Sequence, residues 1–227
     1  MERAVRRPQD IGGEDHGLVN PDPNEPVFHA EWERRAFGLS FCTRLGSHVT
    51  LDRFRRYQAA LPPERYIGSS YYERWLHAVE QVMLDEGVLT EADLYSLQPG
   101  PGPTPDPWLA ASELAATAVG LVESGRNRFV EATSDPVFSV AEQVRVLDIP
   151  PAVYDRLPGY LRRRVGVIDA HYGSFGNPDE LVTGEWEVSG AHLYRVRFTA
   201  TELWGADAES PDDELCVDLF EQYLELR

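Results

Sequence analysis

Two arginine clusters are the groups in this sequence best suited to chemistry. Arg53, Arg55 and Arg56 fall in the first turns of a helix-like segment, and Arg162-Arg163-Arg164 stand directly before a strand-like run, Val165–Ile168. Guanidinium is a permanently charged planar fork that grips carboxylate-like or sulfinate-like oxygens through parallel N–H donors. These side chains read either as seats for an anionic oxygen centre or as salt-bridge partners of nearby carboxylates. For most of them the salt bridge is the expectation. All 21 basic residues are arginine, and without lysine there is no Schiff base, no P-loop lysine and no lysine general base.

Other candidates for self-contained catalysis are weak. The histidines (His16, His29, His48, His77, His171 and His192) never fall at metal-ligand spacing or in an HExxH pattern, so isolated surface or packing roles are expected. Cys42 and Cys216 are isolated and read as two ordinary reduced thiols, neither a disulfide nor a metal site. Gly12-Gly13 has no strand before it and no helix after it, which argues against a nucleotide loop. No GxSxG elbow is present, and Cys42 has no evident histidine partner in sequence. The chain itself is expected to hold no metal or cofactor.

Composition sets the frame for these groups. With 227 residues and 42% hydrophobic content, the chain can build one large or two small cores. Its formal charge of −17, heaviest in acids after Thr201, repels nucleic acid and anionic membrane, so neither is expected as a partner. No long apolar run suggests a membrane span, and residues 1–20 lack a signal-peptide core. A cytoplasmic protein is the expectation.

The elements that must position the arginines follow from periodicity. Residues 1–27 read as an extended arm punctuated by Gly12-Gly13, Pro21, Pro23 and Pro26. Residues 28–97 read as a helical domain. In it Phe28, Trp32, Ala36 and Phe37 recur at helical spacing, and Thr50 can cap a helix carrying Leu51, Phe54, Tyr57 and Leu61 before Pro62-Pro63. Ser70-Tyr71-Tyr72-Glu73 matches a capping box ahead of an apolar stripe through Trp75, Leu76, Val79, Val82 and Met83, and Thr90-Glu91-Ala92-Asp93 starts a short helix by the same logic. Spacing favours a core role for Trp75 and leaves the hydroxyls of Tyr71 and Tyr72 open between core and pocket wall.

Residues 98–128 read as a proline-rich linker, Gln98–Pro107, followed by an alanine-rich connecting helix over Trp108–Glu123. From 129 to 227 the period becomes two. Strands are expected around Val144–Leu147, Val165–Ile168, His192–Phe198, Cys216–Leu219 and Tyr223–Leu226. The run Arg195–Gly205 followed by Val217–Glu225 reads as strand, turn and strand. The fold class is therefore α+β, with a small barrel or β-roll at the C-terminal end.

Several dispersed motifs, in order along nearly the whole chain, resemble the nitrile hydratase β subunit. Asp10-Ile11-Gly12-Gly13 and Glu25-Pro26-Val27-Phe28-His29-Ala30-Glu31-Trp32-Glu33 resemble its opening. Leu51-Asp52-Arg53-Phe54-Arg55 resembles Leu-Asp-Glu-Phe-Arg, Tyr71-Tyr72-Glu73-Arg74-Trp75 resembles Tyr-Tyr-x-x-Trp, and Glu86-Gly87-Val88-Leu89-Thr90 resembles Lys-Gly-Val/Ile-Leu-Thr. Pro158-Gly159-Tyr160-Leu161-Arg162 with Val165-Gly166 resembles Pro-x-Tyr-x-Arg-Gly-Lys-Val-Gly, and Phe198–Gly205 resembles the closing segment.

The resemblance implies a helical N-terminal domain whose arm wraps an α subunit, and a C-terminal SH3-like barrel. It implies αβ or α2β2 assembly, a small nitrile substrate, and Co(III) or Fe(III) in a Cys-x-x-Cys-Ser-Cys loop of the partner, where two cysteines are oxidised. Carried over by position, Arg55 and Arg162 match the arginines that hydrogen-bond those cysteines, and Tyr71 matches a tyrosine at the substrate. Leu51, Phe54, Tyr72 and Trp75 match residues lining or supporting the pocket. This sequence departs from the pattern at Arg56, at Ala59 where glutamate is common, at Tyr154 where histidine stands, and at Arg163 where glycine follows the second arginine. The added positive charge leaves room for an anionic substrate and keeps the related thiocyanate hydrolase as an alternative. A maturation chaperone of such an enzyme and a plain SH3-like interaction module are the others.

Overall fold

The computed structural model describes residues 7–13, 17–18, 21–47, 49–96, 116, 119–120, 128–149 and 156–227. The proline-rich linker, and the connecting helix apart from helical Ala116, Val119 and Gly120, lie outside the described residues.

Five helices come first: α1 (Glu31–Gly46), α2 (Leu51–Ala59), α3 (Pro63–Gly68), α4 (Tyr71–Asp85) and α5 (Glu91–Tyr95). The caps legible in sequence form as expected. Thr50 Oγ1 accepts from Arg53 N–H at 3.0 Å to start α2. At α4, Ser70 Oγ accepts from Glu73 N–H at 3.3 Å, while the Glu73 carboxylate accepts from Ser70 N–H at 2.6 Å. Each arrangement satisfies backbone donors that a helix start leaves without intrahelical partners. Phe54 is only 1% exposed and packs with Val49, Ala78, Val79 and Val82 to form the small core between α2 and α4.

In α1 the helix expected from the spacing is present, but its large apolar side chains do not mark the buried face. The buried residues of α1 are Glu33, Ala36, Ser40 and Thr43, whereas Trp32, Phe37 and Leu39 are exposed, and Phe28 precedes the helix. The mostly small inner face packs on α4 and leaves Trp32 and Leu39 outward, while the half-covered Phe37 ring stacks on Trp75 at 6.0 Å. Short α3, begun by Pro63 at a first-turn position where proline is tolerated, has no periodic signal in so few residues.

The second half is a five-stranded antiparallel sheet in the order β4-β3-β2-β1-β5, with β1 Gln143–Val146, β2 Val165–Gly176, β3 Gly190–Thr199, β4 Glu214–Phe220 and β5 Leu224–Leu226. All five expected strands are present. Two short helices interrupt them, α6 (Pro178–Leu181) and α7 (Ala200–Trp204). The segment after Phe198, read as a turn, is thus a helical turn, because Thr199 Oγ1 accepts from Glu202 N–H at 3.2 Å.

The strand pairings do not close a barrel: β4 and β5 are edges of the ladder. Yet only the 3-10 turn Glu221–Tyr223 connects them. Four flat strand spacings would span about 19 Å, whereas four residue steps reach about 14 Å, so the sheet must curl. Irregular register in β2, between Ile168 and Ala170 and between His171 and Ser174, supplies bending sites. The curl encloses Val144, Val146, Leu157, Leu161, Ile168, Tyr194, Val196, Phe198 and Leu219.

Helices and sheet meet at Thr50. Besides capping α2, its hydroxyl donates to the carbonyl of Leu181 in α6 at 2.6 Å, and the residue is 1% exposed. Thr50→Ala should destabilise the chain by about 2–3 kcal/mol, combining a lost cap with an orphaned buried carbonyl. Thr50→Ser should stay within about 1 kcal/mol of the parent. Urea unfolding of both variants measures the difference.

Candidate functional site

The first arginine cluster divides according to helix geometry. Arg53 is consumed within the chain: Nε donates to Tyr57 Oη at 3.2 Å, Nη1 to Glu86 at 3.2 Å, and Nη2 lies 3.6 Å from Asp85. Tyr57 itself donates to Asp85, and this network ties α2 to the end of α4. Arg56 is exposed. Half-buried Arg55 faces a cleft of roughly 280 Å³ between α2 and the sheet, shared with Asp52, Arg128, Arg156, Phe175 and Phe220. Asp52 lies 3.7 Å from Arg128. Among the described residues, Arg55 makes no side-chain hydrogen bond or ion pair.

The second cluster divides as well. Arg163 has φ 67°, the left-handed region in which a glycine is at ease, and its guanidinium pairs with Asp148 at the surface. Arg164 donates to the carbonyl of Glu202 at 3.0 Å. Arg162 follows the 3-10 turn Gly159–Leu161, which Leu161, wholly buried, anchors in the sheet core. Its Nη2 approaches Asp10 Oδ1 at 3.1 Å, with both side chains 15% exposed. The contact is close enough for an ion pair but off line for a hydrogen bond. Nε and Nη2 of Arg162 are both buried without a hydrogen-bond partner.

A third group is aromatic. Tyr71, in the first turn of α4, is 60% exposed; its ring lies 5.2 Å from that of Tyr72 and 5.4 Å from that of Trp75. Trp75 meets Phe54 edge-on at 5.9 Å, and Phe28 and Phe37 complete the cluster. Phe54 is a buried support, whereas Tyr71 faces outward with no hydrogen bond to its hydroxyl among the described residues. Leu51 is half-buried on α2.

The structure therefore brings Phe54, Tyr71, Tyr72 and Trp75 together, but places Arg55 in a cleft that none of them lines and Arg162 under the N-terminal arm. Sequence reasoning passed over Arg128 and quoted Arg156 in a motif without giving it a role; only tertiary folding brings both to Arg55. It quoted Asp10 in a motif without giving it a role. Among the described residues, no group of three or more His, Cys, Asp or Glu side chains could hold a metal ion, and both cysteines are free.

Two histidines expected to be isolated meet across β2 and β3. Ser134 O can only accept, so His192 Nε2, 2.8 Å away, carries the proton, and His192 Nδ1 accepts from His171 Nε2 at 3.1 Å. Burial, then the neighbouring His192, pushes His171 below its usual range, partly offset by Glu221. Burial and the charge of Arg65 lower His77 in the same sense. The unfolded chain therefore takes up these protons more readily, and stability falls as pH drops through the ordinary histidine pKa of about 6.5. Between about pH 7.5 and about pH 5.5, His171→Gln should show a smaller drop in Tm than the parent chain.

Comparisons with known proteins bear on the whole chain. The family model described as "Nitrile hydratase beta subunit, N-terminal" matches residues 5–124, and "Nitrile hydratase beta subunit, C-terminal" matches residues 127–226. The nitrile hydratase subunit beta of Pseudomonas putida is 34% identical over 215 residues, covering 94% of this chain and 95% of the relative. The low-molecular weight cobalt-containing nitrile hydratase subunit beta of Rhodococcus rhodochrous is 35% identical over 225 residues, covering 95% and 96% respectively. Among solved structures, recombinant apo-thiocyanate hydrolase from Thiobacillus thioparus aligns with a TM-score of 0.38 and 22% identity over 53% of this chain and 99% of that one.

Proposed function

This chain belongs to the nitrile hydratase β-subunit family, and we propose that it works with a metal-bearing α subunit to hydrate small nitriles to amides. The assembly is an αβ pair or its α2β2 dimer in the cytoplasm, with cobalt(III) or iron(III) in the α subunit. When bound, that metal supplies Lewis-acid activation of the nitrile toward a water-derived oxygen. The match of both family models speaks against a maturation chaperone, since the small activators resemble only the N-terminal half.

What this chain contributes is donors. Arg55 and Arg162 hydrogen-bond the oxidised cysteine ligands of the α subunit, fixing the orientation of those anions and stabilising their charge. Tyr71 presents its free hydroxyl to the substrate. Leu51, Tyr72 and Trp75 form the apolar wall, and Phe54 holds Trp75 from beneath. The outward aromatic faces of α1 and α4, carrying Trp32, Phe37 and Tyr71, offer the partner an apolar surface. The curl forced on the sheet by its three-residue edge connection supports an SH3-like barrel as the architecture.

One observation carries this reading. The chain has 38 acidic residues, yet the buried fork of Arg162 has no hydrogen-bonding acceptor and Arg55 has no partner among the described residues. Arg55 opens on the cleft and Nη1 of Arg162 is not covered, so acceptors for these donors are expected from outside the chain.

Arg55→Lys tests the assignment, because an ammonium cannot reproduce a planar two-donor contact. The variant should co-elute with its partner in the parental ratio while kcat falls by about 100-fold or more. Parental turnover in that variant would remove Arg55 from the site.

A further inference from the structure

Arg162 has a counter-ion but no hydrogen bond on its Nε and Nη2 donors, an unusual state for a guanidinium so little exposed. A purely structural arginine–carboxylate pair favours two parallel, in-plane bonds along that edge. Here Asp10 Oδ1 sits 3.1 Å from Nη2, off the N–H direction, and is itself buried without a hydrogen bond. Asp10 balances the charge from the covered side, and Nη1 is the nitrogen of Arg162 that the chain leaves uncovered.

The carboxylate is delivered with care. Residues Pro8–Asp10 form a 3-10 turn in which Asp10 N–H donates to Arg7 O at 2.9 Å, and the other carboxylate oxygen of Asp10 accepts from Arg7 N–H at 3.2 Å. Beyond it, Gly13 lies at φ 84° against the Tyr160 ring, where any Cβ would collide, and Gly13 O accepts from Trp204 Nε1 at 3.0 Å. Tyr160 and Trp204 stack at 6.3 Å and form the platform for this stretch of the arm. Gly159 completes the fit: a Cβ there would strike Oδ1 and stand 3.2 Å from the Asp10 Cα. The arm, the Gly159 turn and Trp204 thus converge to set one carboxylate beside one guanidinium.

We propose that Asp10 is a positioning residue for Arg162: it holds the guanidinium from its covered side so that the uncovered Nη1 meets an anion of the α subunit already oriented. This rests on the role given to Arg162 above. An electrostatic anchor on the Nη2 side fixes where the cation lies while leaving Nη1 to meet a partner.

The test uses the assembled enzyme with Asp10→Asn and Gly159→Ala, the latter dislodging the carboxylate without altering its charge, and with Arg162→Lys as reference. Both variants should keep the parental subunit ratio and a KM within about two-fold, lose about ten-fold or more in kcat, and shift the visible absorption of the metal centre in the same sense. Parental kcat and absorption in Asp10→Asn, alongside loss in Arg162→Lys, would overturn the proposal and leave the function standing. Parental kcat in Arg162→Lys would instead overturn the role of Arg162 itself. Loss of co-elution in both Asp10→Asn and Gly159→Ala also counts against positioning, since the pair would then only fasten the arm.

Discussion

A guanidinium removed from water must meet acceptors, and in this chain every cation is a guanidinium. That constraint sorts the arginines more sharply than their positions in sequence do. Arg53 satisfies itself on Tyr57, Asp85 and Glu86 and so fastens α2 to α4; Arg164 bonds the carbonyl of Glu202 and fastens the start of β2 to α7. Arg163 spends its charge on Asp148 at the surface. Arg56 stays in water, which leaves Arg55 beside an open cleft and Arg162 with an unbonded buried edge. Of these two, Arg55 is the one that faces an opening.

Those residues are positioned by the contacts that fasten the two halves of the chain. Thr50 caps α2 and bonds α6 with the same hydroxyl, and Asp52, in the first turn of the helix, reaches Arg128 beside the end of β2. Arg55 lies one turn further along α2, so its approach to the cleft is set by that junction. On the far side, the arm reaches the second arginine through Gly13, Tyr160 and Trp204.

The described residues do not assemble a complete catalytic pocket. The aromatic cluster around Tyr71, the cleft with Arg55 and the covered edge of Arg162 are separate features. That distribution is what the proposed function asks of this chain, walls and donors around chemistry on another subunit, and Trp32 and Leu39 of α1 are exposed. The curled sheet holds the Arg162 turn through Leu161, whose side chain is wholly buried in its core.

Much of this was legible before any fold was known. Thr50, Ser70 and Thr90 announce helix starts because capping is local, a contest between side chain and backbone within a few residues. The alternation of His192, Tyr194, Val196 and Phe198 announces β3 because a strand's two faces follow directly from backbone geometry. The outward turn of Trp32 and Leu39 was not legible, since periodicity shows that a helix has an apolar stripe but not which face its neighbour covers. Nor was the helical turn at Ala200, decided in a segment too short for a period. The sequence by itself determined the elements, the arginine-only cation chemistry and the family motifs. Only tertiary structure decided which arginines are consumed within the chain, that His171 meets His192, and that Asp10 lies on Arg162. These depend on contacts between residues far apart in sequence, set by the strand order, the curl of the sheet and the path of the arm.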